Sequence, residues 1–328
     1  MYVVTGGAGF IGSNILWELE RRGAGPLVIS DRLRDADKWR NVAKRDLYDI
    51  VDPEELLYYL DDHGSDVTAV IHMGAISATT ETDADLIIDT NFRLSRDLWL
   101  LCAEHQVPFI YASSAATYGD GGEGFDDADD MESLSLLRPL NPYGWSKHLF
   151  DRWVARTIAA DGPRPPHWAG LKFFNVYGPN EGHKGRMASV VSQIQPLAAA
   201  GEACRLFKSH HPDYADGGQL RDFVWVDDCV GEALWLLDHP EVNGIFNCGS
   251  GKARSFADLA KAVYAAQGTE PKIEYVPTPE DIRDKYQYFT EARMDRLREA
   301  GYGGNTTSLE DGIGEYVSKY LAADDPYR

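Results

Sequence analysis

Apolar residues along the first half of the chain come in short runs, separated by longer stretches where they recur at three- and four-residue steps. The runs predict strands at 2–5, 26–30, 67–72, 107–113 and 168–174, and the periodic stretches predict helices near 10–22, 54–61, 83–104 and 143–160. Such alternation is the pattern of βαβ units, whose right-handed crossovers gather parallel strands into one sheet with their carboxyl ends on one rim. The stretch 119–132, rich in glycine and acid, reads as a surface loop without ordered metal ligands, and the prolines within 163–166 end the preceding helix. Past residue 175 the alternation becomes irregular, with helical patterns at 187–200, 227–238, 255–267 and 290–299. The boundaries expected are a dinucleotide-binding unit of residues 1–173 plus about 222–250, and a smaller substrate-binding unit of 174–221 plus 251–328.

The segment from Val3 to Gly12 sets a glycine-rich turn, with Gly6, Gly9 and Gly12, between the first strand and the first helix. Glycine there permits a tight turn, lets the backbone approach a pyrophosphate and lets helix and strand pack closely, while the helix N-terminus favours phosphate charge. The fold class this implies is α/β, a doubly wound parallel sheet of Rossmann type with a smaller, mostly C-terminal portion. Asp31 ends the second strand about twenty residues on, where an acid hydrogen-bonds the adenosine ribose. Taken alone, Asp31 points to NAD. Arg32, Arg34, Lys38, Arg40, Lys44 and Arg45 form a basic concentration nearby that would neutralise a ribose 2′-phosphate, so NADP is the expected dinucleotide and NAD the alternative.

Tyr143 and Lys147, four residues apart at the start of a predicted helix, project from one face. A phenol with an ordinary pKa near 10 is a poor base at neutral pH, but a neighbouring ammonium favours the phenolate. This pair is the candidate hydride-transfer machinery, with Ser114, at the end of the strand 107–113, orienting the same substrate oxygen.

The 328 residues, 44% of them apolar, suffice for a large core. A formal net charge of −20 argues against a nucleic-acid groove or an anionic-membrane contact, both of which need concentrated Lys and Arg. Cys102, Cys204, Cys229 and Cys248 are widely spaced, with no zinc or disulfide pattern, and the histidines show no ligand spacing, so no metal is expected. Strand-like residues directly after Met1, with no leader or long apolar run, point to the cytoplasm.

With the glycine turn, Ser114, Tyr143 and Lys147 assembled, the chain resembles the extended short-chain dehydrogenase/reductase family over essentially its full length. The strings Ser77–Glu81, Tyr111–Gly119 and above all Phe174–Gly185 resemble the branch of nucleotide-sugar epimerases that acts on carbon 6 of ADP-glycero-manno-heptose, a step in lipopolysaccharide core heptose synthesis. That resemblance implies transient oxidation to a ketone and re-reduction on the opposite face, served by two acid/base groups, Tyr143 and Lys184. It implies cofactor contacts from Gly6, Gly9, Phe10, Ile11, Gly12, Asp31, Arg32, Lys38, Met73, Gly74, Ala75, Ile76, Ser77, Asn91, Lys147, Val176 and Lys184. It implies substrate contacts from Asn175, Arg186, Gln193, Phe207, Lys208, Ser209, His210, Arg221 and Tyr286, with Arg221 on the diphosphate. The resemblance also implies a homo-oligomer, a pentamer, as the assembled state.

The chain departs from the family at Arg186, where a small hydroxyl residue is usual, at Gln193, where a histidine is usual, and at Pro53, where a basic residue faces the adenosine phosphate. The stretch 210–218 is longer than usual. Ala115 and Ala116 stand where 4,6-dehydratases carry an Asp-Glu pair, which disfavours elimination, and Lys184 favours a 6-epimerase over a UDP-sugar 4-epimerase. Intact Tyr143 and Lys147 argue against a non-catalytic NADP sensor.

Overall fold

The protein is described by a computed structural model covering residues 1–34, 37–283 and 286–328. Strands β1 (Tyr2–Thr5), β2 (Leu27–Ser30), β3 (Asp49–Val51), β4 (Ala69–His72), β5 (Phe109–Ser114) and β6 (Trp168–Phe173) occupy the first half. They are followed by β7 (Asn175–Tyr177), β8 (Cys204–Phe207), β9 (Leu220–Trp225), β10 (Gly244–Cys248), β11 (Ala253–Ser255) and β12 (Ile273–Val276). Seven of them form one sheet in the order β10-β6-β5-β4-β1-β2-β3, with every pairing parallel. This is a Rossmann-type doubly wound sheet. Its connections reverse direction between β1 and β4, so the loops leaving those strands diverge and leave a crevice at their carboxyl ends.

The strands alternate their side chains between two apolar layers. Ile29, Ile71 and Ile110 face the layer that contains Ile15, Leu16, Val230 and Leu234, whereas their neighbours Val28, Val70 and Phe109 face the one containing Leu60, Leu98 and Trp99. Trp99 is fully buried and meets Phe109, Phe150, Trp153 and Trp168 edge-on. A third apolar cluster, including Val191, Leu206, Phe223, Leu259 and Ile313, lies among the helices Val190–Ala200, Phe256–Gln267 and Leu309–Tyr316 and two small sheets, β11-β9-β7 and β12-β8.

Differences from the sequence reading have local causes. Strand β3 escaped it because three residues, two of them exposed, leave no periodic signature. The stretch 119–132 is not wholly surface: Phe125 packs on Tyr118 and Phe174, buried Asp127 accepts a hydrogen bond from the Asn247 backbone N–H at 2.7 Å, and a helix begins at Met131. The helix expected at 290–299 starts only at Asp295, because the Tyr288 carbonyl and Thr290 N–H are bonded to Leu220 on β9. The predicted helix 83–104 is interrupted by a π-type turn, Ile88–Arg93, that buries Asn91. Among the described residues no helix is long and apolar enough to cross a membrane, and all four cysteines are buried and unpaired.

Trp99→Ala should lower unfolding stability by about 3–5 kcal/mol, read as a reduced urea midpoint with an unchanged slope. A loss below about 1 kcal/mol would mean that the aromatic layer does not organise this face of the sheet.

Candidate active site

The glycine turn is fixed by close backbone approach. Gly6 has φ +62°, and a Cβ there would lie 2.7 Å from the Gly74 backbone, while one on Gly12 would lie 2.3 Å from the Gly6 carbonyl oxygen. The helix Phe10–Arg21 starts at Gly9 without a side-chain cap or an acidic residue in its first turn, so its leading N–H groups are available to an anion. Asp31 closes the turn from β2, accepting from the Ala8 N–H at 2.9 Å and from Lys38 Nζ at 2.5 Å. A dinucleotide pyrophosphate and ribose fit this cradle.

On the β4 side a buried polar chain holds the opposing loop. Thr5 Oγ1 accepts from the Gly74 N–H at 3.0 Å and lies 2.6 Å from His72 Nδ1, and His72 Nε2 lies 2.8 Å from Ser95 Oγ. Ser95 donates to the Asn91 carbonyl, and the Asn91 amide exchanges two hydrogen bonds with the Ile76 backbone. Asn91 also donates to Ser146 Oγ at 3.0 Å, and Ser146 donates to the Tyr143 carbonyl at 2.7 Å. Asn91 therefore ties the 73–77 loop to the helix Pro142–Ala159, a positioning task that the resemblance alone did not reveal. Burial and the nearby Lys147 charge push His72 down to about 3, so the chain is built on a neutral imidazole.

The helix Pro142–Ala159 begins with Pro142 and is capped by Asn141, whose side chain accepts from the Gly144 N–H at 2.8 Å. This start fixes Tyr143 and Lys147. Burial raises the Tyr143 phenol and the Ser114 hydroxyl lowers it. Ser114 Oγ also accepts from the Ala116 N–H at 3.1 Å, so it is both a strand-end cap and a partner of the phenol. Lys147 is buried, donates to the Ala112 carbonyl at 2.8 Å and is pushed down to about 8 by burial, against the opposing pull of Asp151.

Lys184 is held elsewhere, with Nζ 5.4 Å above the Phe10 ring at the head of the first helix. Burial lowers it and Glu181 raises it. Its segment is anchored by Asn180, at φ +70°, which donates to Ser13 Oγ at 3.0 Å, and by Asn41, which donates to the Ala8 and Asn180 carbonyls and contacts His183 Nδ1. His183 is thus a structural contact. Among the described residues no group of three His, Cys, Asp or Glu side chains could hold a metal.

The expected substrate residues fall into two groups. Arg221 on β9 has its guanidinium 5.5 Å over Tyr286 and 5.7 Å over Phe256, makes no ion pair with a carboxylate among the described residues, and donates only to the Leu220 carbonyl. Phe207 meets Tyr286 edge-on at 6.0 Å, and the 208–218 stretch folds back through Ser209, whose N–H donates to Asp216, and His210, whose N–H donates to Tyr288. Arg186 and Gln193 form a separate group: Arg186 is exposed, and Gln193 donates to the Ala188 and Arg186 carbonyls. Asn175 and Val176 lie on β7, paired with β9.

A doubly wound sheet with a glycine turn after its first strand, an acid closing that turn from the second strand and a buried Tyr-Lys helix start defines the extended Rossmann class of nicotinamide-dependent enzymes. The model of the NAD dependent epimerase/dehydratase family matches residues 2–249, and the chain belongs to that family. It is 52% identical over 330 residues, 100% of each chain, to ADP-L-glycero-D-manno-heptose-6-epimerase of Nitratidesulfovibrio vulgaris strain DP4. Its identity to the Fusobacterium nucleatum enzyme of the same name is 46% over 335 residues, again 100% of each. The Helicobacter pylori ADP-L-glycero-D-manno-heptose-6-epimerase structure is similar at TM-score 0.80 and 25% identity, covering 98% of this chain and 96% of that one. A UDP-glucose 4-epimerase from Thermus thermophilus in complex with NAD has a TM-score of 0.76 at 26% identity, covering 95% and 96%.

The neutral His72 makes a pH prediction. Its folded pKa is depressed below the unfolded value near 6.5, so the unfolded chain binds the extra proton and His72's contribution, complete above 6.5, is lost as pH falls toward about 3. The unfolding free energy should fall by up to about 1.4 kcal/mol per pH unit in that window, and His72→Asn should flatten this component. An unchanged slope in the variant would show that His72 is not the group responsible. In the glycine turn, Gly12→Val should weaken dinucleotide binding at least tenfold by titration, since a Cβ would displace the Gly6 carbonyl.

Proposed function

We propose that this chain converts ADP-D-glycero-D-manno-heptose to its L-glycero epimer at carbon 6, supplying heptose for lipopolysaccharide core synthesis. The carrying observation is that the chain is 52% identical over full length to an enzyme of that name; two acid/base candidates held by different scaffolds support it, Lys147, one turn after Tyr143, on the Ala112 carbonyl of β5 and Lys184 over Phe10 at the head of the first helix. When bound, the dinucleotide supplies the acceptor and donor of a hydride. Tyr143, as phenolate, takes the proton of the carbon 6 hydroxyl, and the Lys147 ammonium stabilises that phenolate and holds a ribose hydroxyl. After the intermediate ketone presents its other face, Lys184 delivers the proton that accompanies re-reduction. Arg221 holds the diphosphate, and Phe207 with Tyr286 walls the nucleotide side. Residues 1–173 with about 222–250 hold the dinucleotide, and the remainder holds the sugar.

The dinucleotide on this reading is NAD rather than the NADP suggested by the basic stretch. Arg32 pairs with Glu54, Lys38 with Asp31, Arg40 with Asp37, Lys44 with Asp325 and Arg45 with Glu20, so that stretch is largely neutralised by its own neighbours. Asp31 would repel a 2′-phosphate.

Incubating the purified protein with ADP-D-glycero-β-D-manno-heptose and following products by chromatography tests the reading. Conversion without net cofactor turnover is expected, and Tyr143→Phe and Lys184→Ala should each lose about 10²–10⁴-fold in kcat. Full activity in Lys184→Ala would remove it as the second base. Epimerisation of a UDP-hexose with the heptose left untouched would overturn the substrate and leave the family chemistry. After removal of bound cofactor, NAD should restore activity at lower concentration than NADP.

A further inference from the structure

Beneath the Tyr143-Lys147 pair lies a set of buried ionisable side chains that the hydride chemistry does not use. Asp151, one turn beyond Lys147, and Lys172, the last residue but one of β6, are both 0% exposed. Asp151 accepts from Ser113 Oγ at 2.7 Å and from the Tyr111 hydroxyl at 3.2 Å, both on β5. Lys172 Nζ is 3.7 Å from Asp151, beyond hydrogen-bond distance, and has no hydrogen-bond acceptor among the described residues. It rests 4.4 Å above the Tyr118 ring, whose hydroxyl donates to Asn247 Oδ1 at 2.6 Å.

An ammonium with no exposure and no protein hydrogen-bond acceptor among the described residues is costly, and an apolar pair of similar volume would hold helix against strand as well or better. A structural role alone therefore does not account for Lys172 in a strand otherwise made of Trp168, Ala169, Gly170, Leu171 and Phe173. One carboxylate thus stands 3.7 Å from Lys172 and one helical turn from Lys147. Resting on the role assigned to Lys147 above, we propose that Asp151 and Lys172 are positioning residues that act through Lys147. Asp151 holds Lys147 as an ammonium, and Lys172, by claiming the same carboxylate, limits how firmly.

The charge environment agrees. Burial lowers both lysines and Asp151 raises both, while Asp151, itself raised by burial, is drawn back by Lys172, Ser113, Tyr111 and Lys147. The other ionisable groups around this set are Tyr143, His148 and Arg152 on the same helix, Arg138 before it, His72 on β4, Tyr118 after β5, and Asp127 and Asp129 in the following loop. His72 and His148 are pushed down to about 3 and about 4, so neither titrates near Lys147.

Activity that needs the Lys147 ammonium falls as pH rises through its pKa, giving kcat/KM for epimerisation an alkaline limb. Asp151→Asn should move that limb about one unit to lower pH, and Ser113→Ala, a milder change that folds if the first does not, should move it the same way by less. Lys172→Met should move it to higher pH, and Lys172→Arg should leave it near the parent's position. Opposite displacement by the two charge-removing variants is a result that packing damage does not produce. Displacement in one direction by both, or by neither, overturns the proposal. A parent profile with no alkaline limb between about pH 7 and 9 would instead overturn the role of Lys147 itself.

Discussion

The site depends on one steric constraint, the approach of three backbone segments around Gly6, Gly12 and Gly74. The turn after β1, the head of the first helix and the loop after β4 come so close that a single added carbon at Gly6 or Gly12 would overlap backbone. Side chains at these positions would push the helix head away from the crevice, and the amides that suit a pyrophosphate would no longer converge. Two polar ties hold the packing at either side. Asp31 reaches from β2 to the Ala8 amide, and Thr5 reaches from β1 to the Gly74 amide.

From that point order propagates through hydrogen bonds between neutral groups. Thr5, His72, Ser95, Asn91 and Ser146 run in one buried chain from the glycine turn to the carbonyl of Tyr143. The π-type turn at Ile88–Arg93 matters because it sets Asn91 where its amide can serve the Ile76 backbone and Ser146 together. A regular helix would turn that side chain elsewhere. The 73–77 loop and the helix Pro142–Ala159 are consequently parts of one scaffold, built without charges that a change of pH above about 6.5 would alter.

Elements that rely on local pattern were legible in the sequence. The buried strands β1, β2, β4, β5 and β6 carry continuous apolar runs, and the glycine turn and the Tyr143-Lys147 pair are each contained within a few residues of chain. What stayed hidden depends on contacts distant in sequence. The basic stretch from Arg32 to Arg45 looked free to bind phosphate because its partners Glu20, Glu54 and Asp325 lie outside it. The acidic loop looked solvated because Asn247, whose backbone N–H donates to Asp127, is 120 residues away. Among the described residues, strands β8 and β12 pair only with each other, and their four-residue segments carry too little alternation to stand out. Lys172 was visible as a lone cation in an apolar run, and Asp151 continues the four-residue step of Tyr143 and Lys147, but neither signal says what it touches.

The two acid/base candidates owe their separate approaches to separate anchors. Lys147 and Tyr143 are referred to β5 through the Ala112 carbonyl, and the sugar-side residue Arg221 is referred to β9. Lys184 is referred to the first helix, because Asn180 binds Ser13 and Asn41 binds Ala8. A buried clamp reinforces that second anchor. Arg328 holds Asp227 and Asn14, its guanidinium lies 4.2 Å over Trp17, and its backbone N–H donates to Asn180 Oδ1. The segment that carries Lys184 is therefore tied to the first helix, whereas the helix that carries Tyr143 is tied to β5. On the proposed mechanism, separate anchoring of the two groups lets the sugar turn its carbon 6 between them, as proton transfer on two faces of one carbon requires.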